Sequence, residues 1–193
     1  MAQARRWLCA PCTATPEGYR PFRPLATVKR VSHIELRPLD DDDLDAVFEM
    51  MRDPEGVAMA AFTASDPDDR DVFDAWIARQ RANPDAVMSV VTERGGFAGT
   101  AGTFSVDGDR EVTYWIARHA WGRGVATAAL RLLVAREPER PLFARAAAHN
   151  AGSIAVLRKA GFTEVSRLVS FAPGLGREVE EIVFTLVPSL DGA

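Results

Sequence analysis

Cysteine is scarce in this chain of 193 residues: Cys9 and Cys12 are the only two. A lone C-x-x-C cannot frame a disulfide scaffold, and with only His33 nearby it falls short of the four ligands of a structural zinc site. The scarcity points to a reducing, cytoplasmic setting and to no bound metal. Long apolar runs are missing as well; nothing approaches the ~18 residues that would cross a bilayer, so no membrane span is expected. Positive charge is in deficit, and unevenly so. Residues 1–31 hold Arg5, Arg6, Arg20, Arg23, Lys29 and Arg30 against Glu17, a balance of +5 within a total of −4, which leaves −9 for the rest. An acidic body argues against nucleic acid as the main partner and suits a cationic substrate.

What is present is enough apolar material, 47% of the chain, for one sizeable core. Pro11, Pro16, Pro21 and Pro24 punctuate an aperiodic leader, read as a flexible extension over 1–31, with the domain at 32–188 and a tail at 189–193. Nothing in the sequence excludes a homodimer.

Alternation predicts a strand from His33 to Arg37, ended by Pro38. Asp40 then caps a helix carrying Leu44, Val47, Phe48 and Met51 at i, i+3, i+4 and i+7, with Asp41 to Asp43 as its dipole-complementing first turn rather than a metal cluster. An irregular stretch is expected from Pro54 to Pro67, followed by a helix from Asp68 to Arg81 with Phe73, Trp76 and Ile77 on one face. These two helices are expected to form a lid. Strands Ala86 to Glu93, Phe97 to Val106 and Arg110 to Ala117 follow, joined by glycine hairpins at Arg94-Gly95-Gly96 and Asp107-Gly108-Asp109. Then come an apolar helix ending before Pro138, a strand Leu142 to Ala147, a helix capped by Asn150 and stopped at Gly161, and strands Thr163 to Ser170 and Glu178 to Val187.

Between the third hairpin strand and the apolar helix stands Trp121-Gly122-Arg123-Gly124-Val125-Ala126-Thr127. A Gly-x-Gly turn opening a helix collects unpaired N–H groups and the positive end of the helix dipole, a setting for phosphate. The P-loop reading fails because Val125-Ala126 follows Gly124 where Lys-Ser/Thr is required. The dinucleotide fingerprint fails because Thr127 stands at its third glycine and tight hairpins precede it.

From Ile34 to Val187 the chain resembles the GNAT superfamily of acyl-coenzyme-A-dependent N-acetyltransferases, and within it the ribosomal-protein N-acetyltransferase branch. The resemblance rests on Arg110-Glu111-Val112-Thr113-Tyr114-Trp115-Ile116, on the Trp121 to Thr127 turn, and on Asn150-Ala151-Gly152-Ser153 with Leu157-Arg158-Lys159-Ala160-Gly161-Phe162. Thr113 and Ala128 depart from the branch, which carries Gly before the Tyr and Glu after the Thr. The implied fold is α/β (α+β): a mixed, mostly antiparallel, seven-stranded sheet splayed between strands 4 and 5 and flanked by about four helices.

The same resemblance implies acetyl-CoA as cosubstrate, a primary amine as acceptor (a protein N-terminus or a small cationic molecule) and direct attack in a ternary complex; a non-catalytic acyl-CoA-binding module is the alternative. It places the coenzyme along Ile116, Ala117 and Arg118, around Trp121, Gly122, Arg123, Gly124, Val125, Ala126 and Thr127, and against Asn150 and Ser153, with an N–H near Ile116 polarising the thioester. A lysine-like amine costs about 4 to 5 kcal/mol to deprotonate at pH 7, and Glu111 is the implied base. Ser153 or Tyr114 would serve the leaving thiolate. His119 and His149 lack triad spacing and are read as loop residues. Acceptor recognition is expected on Met59 to Asp69, where Phe62, Asp66, Asp68 and Asp69 stand.

Overall fold

The hairpin glycines do what the sequence asks of them. Arg94 and Gly95, and again Asp107 and Gly108, take left-handed backbone conformations in two-residue turns, the geometry that matches strand twist. In this computed structural model, which describes residues 33–188, they fold β2 (Val87–Glu93), β3 (Gly96–Val106) and β4 (Asp109–Ile116) into an antiparallel meander beside β1 (Ile34–Pro38). With β5 (Leu142–Ala147), β6 (Thr163–Ala172) and β7 (Arg177–Leu186) the sheet reads β1-β2-β3-β4-β5-β7-β6. The readings of residues 1–31, including the cysteine pair, and of 189–193 lie outside the described residues.

All neighbours are antiparallel except β4 and β5, which run parallel and pair only at Arg110↔Leu142 and Glu111↔Phe143. Beyond Glu111 the two strands part, and this opening is the splay expected from the resemblance. The N–H of Ala117 bonds the carbonyl of Ala98 on the β3 side. Alternation therefore turns the main-chain groups of Val112, Tyr114 and Ile116 toward the opening.

Among the described residues five α-helices flank the sheet, one more than expected: α1 (Leu44–Met51), α2 (Pro54–Ala60), α3 (Arg70–Ala82), α4 (Val125–Arg136) and α5 (Ala151–Lys159). The addition is α2, which takes the first part of the stretch expected to be irregular; residues 61–67 carry no helix or strand, as expected. Asp53 caps it through the N–H groups of Glu55 and Gly56 at 3.1 and 3.0 Å, and Pro54 occupies its first turn, where the missing N–H costs nothing. Asp40 and Asp43 form a reciprocal capping box in a single 3-10 turn before α1.

The main core lies under α4 and α5 and is filled by Leu130, Leu142, Leu157, Ile182 and Phe184, all fully buried. On the other face, Val47, Phe48, Met50, Phe73 and Ile77 of α1 and α3 pack with Phe97, Trp115 and Ala117. The two helices expected as a lid are thus seated on the sheet.

Candidate active site

Along the part of β4 that has left β5 lies a groove of about 490 Å³. One wall is Tyr114, Trp115 and Ile116 of β4; the other is Asn150, Ser153, Val156 and Lys159 along α5; α2 contributes Gly56, Met59 and Ala60. One end is closed by the glycine turn. Gly122 and Gly124 both have left-handed φ, 71° and 83°, and a Cβ built at either would meet nothing within 4 Å. They are therefore needed for the turn itself, not for crowding. Gly124 is the N-cap of α4 and has no side chain to offer, so the first-turn N–H groups of α4 lack a side-chain cap. Open space beside uncapped amides at a helix N-terminus matches the chemistry of a diphosphate.

Of the residues singled out in the sequence, Tyr114, Ile116, Trp121, Gly122, Gly124, Val125, Ala126, Thr127, Asn150 and Ser153 meet in this groove. Trp121 fixes the turn by donating its indole N–H to the carbonyl of Ile116 at 2.6 Å. The Tyr114 hydroxyl lies 2.7 Å from Oγ of Ser153. Burial pushes this phenol up to about 12, against a smaller opposing effect of the Ser153 bond. Asn150 is doubly engaged. Its Oδ1 accepts from the N–H of Ser153 at 2.9 Å and its Nδ2 donates to the carbonyl of Met59 at 3.0 Å, tying α5 to α2. His149 adds a second tie, Nε2 to the carbonyl of Ala58 at 2.8 Å.

Four residues do not line the groove. Ala117 packs into the opposite core, its N–H spent on β3. The Arg118 guanidinium pairs with Asp53 at 3.2 Å and Glu55 at 3.0 Å. The Arg123 side chain turns to Glu93, leaving only the main chain of these arginines for a ligand. Glu111 sits on the other face of β4, buried, with Arg145 Nε 3.0 Å from its Oε1; the same guanidinium lies 3.5 Å from Glu181. Burial raises Glu181 above the usual carboxylate range, with Arg145 working against it, while the bond to Glu111 raises the Arg145 guanidinium.

The acids expected to recognise the acceptor are otherwise occupied: Asp68 pairs with Arg52, Asp66 accepts from the N–H of Asp68, and Asp69 caps α3. Sequence reasoning assigned Met59 and Ala60 to acceptor recognition rather than to this groove, and it missed Lys159 in the groove and Arg145 and Glu181 beside Glu111. Only α2 carried a readable signal, the Asp53-Pro54-Glu55 helix start.

The profile of the acetyltransferase (GNAT) domain family matches residues 33–163, about two thirds of the chain. The chain belongs to the GNAT acetyltransferase family. Solved structures similar to this GNAT protein include the ribosomal-protein-alanine N-acetyltransferase from Brucella melitensis, at 22% identity over 80% of this chain and 99% of that one, with a TM-score of 0.66. The spermidine N-acetyltransferase from Vibrio cholerae, solved with CoA and spermine, is similar at 15% identity over 81% and 96%, TM-score 0.68. A microcin self-immunity acetyltransferase solved with acetyl-CoA and AMP is similar at 14% identity over 86% and 98%, TM-score 0.69. At these identities the likeness shows the fold. No curated protein matches the chain in sequence.

Proposed function

We propose that this GNAT protein is an acetyl-CoA-dependent N-acetyltransferase acting on a primary amine by direct attack in a ternary complex. The observation that carries this reading is the groove: uncapped α4 amides at one end, β4 main chain parted from β5 along one wall, and the Tyr114–Ser153 pair facing it. When bound, acetyl-CoA supplies an activated acyl group. The amides of Arg123 to Thr127 hold its diphosphate, Asn150 and the Tyr114 and Ile116 main chain lie along its amide-rich arm, and the Ile116 N–H stabilises negative charge on the acyl oxygen.

The ammonium gives one proton to Glu111; the freed amine nitrogen forms the N–C bond, its second proton passes to solvent, and the C–S bond breaks with its electron pair staying on sulfur. Tyr114 is too weak an acid to surrender its proton outright. Against a thiol near 8.5, transfer from a phenol at about 12 is uphill by roughly 5 kcal/mol. Its role is to hold the thiolate by hydrogen bonding through Ser153 until solvent protonates it.

Calorimetric titration with acetyl-CoA and measurement of CoA release over an amine panel test the reading, which fails if acetyl-CoA gives no binding. The Glu111–Arg145 ion pair favours a second reading, a binding module whose carboxylate is locked. Glu111→Gln is expected to lower kcat by about 10² or more with acetyl-CoA affinity unchanged; tight acetyl-CoA binding without turnover of any amine supports the module.

A further inference from the structure

Opposite the coenzyme groove, at the point where β4 and β5 part, the sheet carries an unbalanced set of charges. Glu111, Thr113 and Trp115 alternate to this face, and β4 pairs with β5 last at Glu111↔Phe143, so Glu111 marks the floor of the opening. Arg145 of β5 and Glu181 of β7 join it there. Both glutamate side chains are more than nine-tenths buried, at 7% and 9% exposed, whereas the Arg145 side chain is 41% exposed. Thr113 is exposed, and Phe104 and Phe143, in register with Glu111 on either side, are half-buried.

Two buried carboxylates thus share one guanidinium that reaches them from solvent. A purely structural ion pair balances its charges, because a buried charge without a partner is costly. Here two buried carboxylates face a single guanidinium. Glu181 holds Arg145 only at 3.5 Å.

Resting on the acetyltransferase reading above, we propose that Glu181 is the specificity residue of the acceptor site. A strongly basic alkylammonium is held between Glu111 and Glu181 in the place the Arg145 guanidinium spans, Arg145 swinging outward as the cation enters. Glu111 then lies against the ammonium it must deprotonate. The acceptor class that follows is an aliphatic amine of lysine-like basicity, fully cationic at neutral pH, in preference to a peptide α-amine with a pKa of about 8. The half-buried phenylalanines suit its methylene chain.

The test uses the full chain, with n-butylammonium and its neutral near-isostere 1-butanol titrated into the protein saturated with CoA. The ammonium is expected to bind at least about tenfold more tightly, the fold expected of a charge-assisted contact; equal binding overturns the proposal. In turnover, Glu181→Gln is expected to raise KM for n-butylamine about tenfold or more while KM for acetyl-CoA holds, and Glu181→Asp is expected to restore part of the loss. A folded Glu181→Gln protein with unchanged acceptor KM sinks the assignment. Should that variant not fold, the wild-type titration decides alone. Absence of acetyl-CoA binding would instead remove the reading on which the proposal rests, and the butylammonium titration into the free protein would still decide the cation site.

Discussion

Tyr114 shows how one residue's chemistry depends on what the fold puts beside it. As a tyrosine in a strand it reads equally well as core or as catalyst; only the 2.7 Å contact with Ser153, 39 residues away, joins it to the groove. Tyr114→Phe is expected to lower kcat by about ten- to a hundredfold with little change in acetyl-CoA affinity, measured by steady-state kinetics and calorimetry. It also carries a stability consequence. The folded-state pKa is raised from 10.0 to about 12, so the stabilisation is complete below pH 10 and is lost as pH climbs toward 12, because the unfolded phenol ionises first. Two units correspond to about 3 kcal/mol as an upper figure. Urea melts of Tyr114→Phe are expected to show a flatter decline over that window. Glu111 presents the opposite case: its strand was legible, but its bond to Arg145 depends on β5, a distant segment of the chain.

Among the elements, α2 was legible only in its Asp53-Pro54-Glu55 start, because seven residues are too few for periodicity to speak, and Gly56 and Val57 are weak helix formers. Its helical state depends on caps and neighbours. Asp53→Ala is expected to cost about 1 kcal/mol by removing the cap, seen as a melting shift of roughly 2–4 °C, and it leaves Arg118 paired with Glu55 alone. Asn150 separates two roles in one side chain. Asn150→Asp keeps the acceptor that caps α5 and loses the donor to Met59, so hydrogen exchange in α2 is expected to quicken while α5 stays protected; equal exchange in both helices would show that the Met59 bond is not the tether. By contrast α4, with 12 residues and Ala129, Leu130 and Leu133 buried on one face, was legible because pattern and environment agree.

Over the whole molecule, charge is managed by local pairing. Arg37 grips Asp43 through two 2.6 Å bonds and holds it below its usual range. Burial works against the charge of Glu137, yet the bonds from Arg110 and the Glu139 backbone outweigh it and keep that group low too. Depressed carboxylates stabilise above their unfolded pKa values and lose that stabilisation as pH falls through the folded ones. Stability is therefore expected to hold down to about pH 4.5 and then fall steeply, with Asp43→Asn combined with Glu137→Gln flattening the slope in urea melts at stepped pH. Glu181, raised by burial, works with the opposite sign and offsets part of this. Pairing also shapes ligand affinity: with Arg118 and Arg123 engaged by carboxylates, acetyl-CoA affinity is expected to change less than about threefold between 0.05 and 0.5 M salt, and a steep salt dependence would mean that those arginines leave their partners.

The sequence by itself determined the strands, the hairpins, the glycine turn and the helix it opens. Each of these is a local matter, decided by side-chain period, left-handed glycine and the unpaired amides of a first turn. The tertiary structure decided where β4 leaves β5, which arginines are spent on carboxylates, that α2 is a helix tied to Asn150, and that Glu111 shares Arg145 with Glu181. Those contacts join residues dozens of positions apart, and their energies come from burial and distance, quantities that no window of sequence contains.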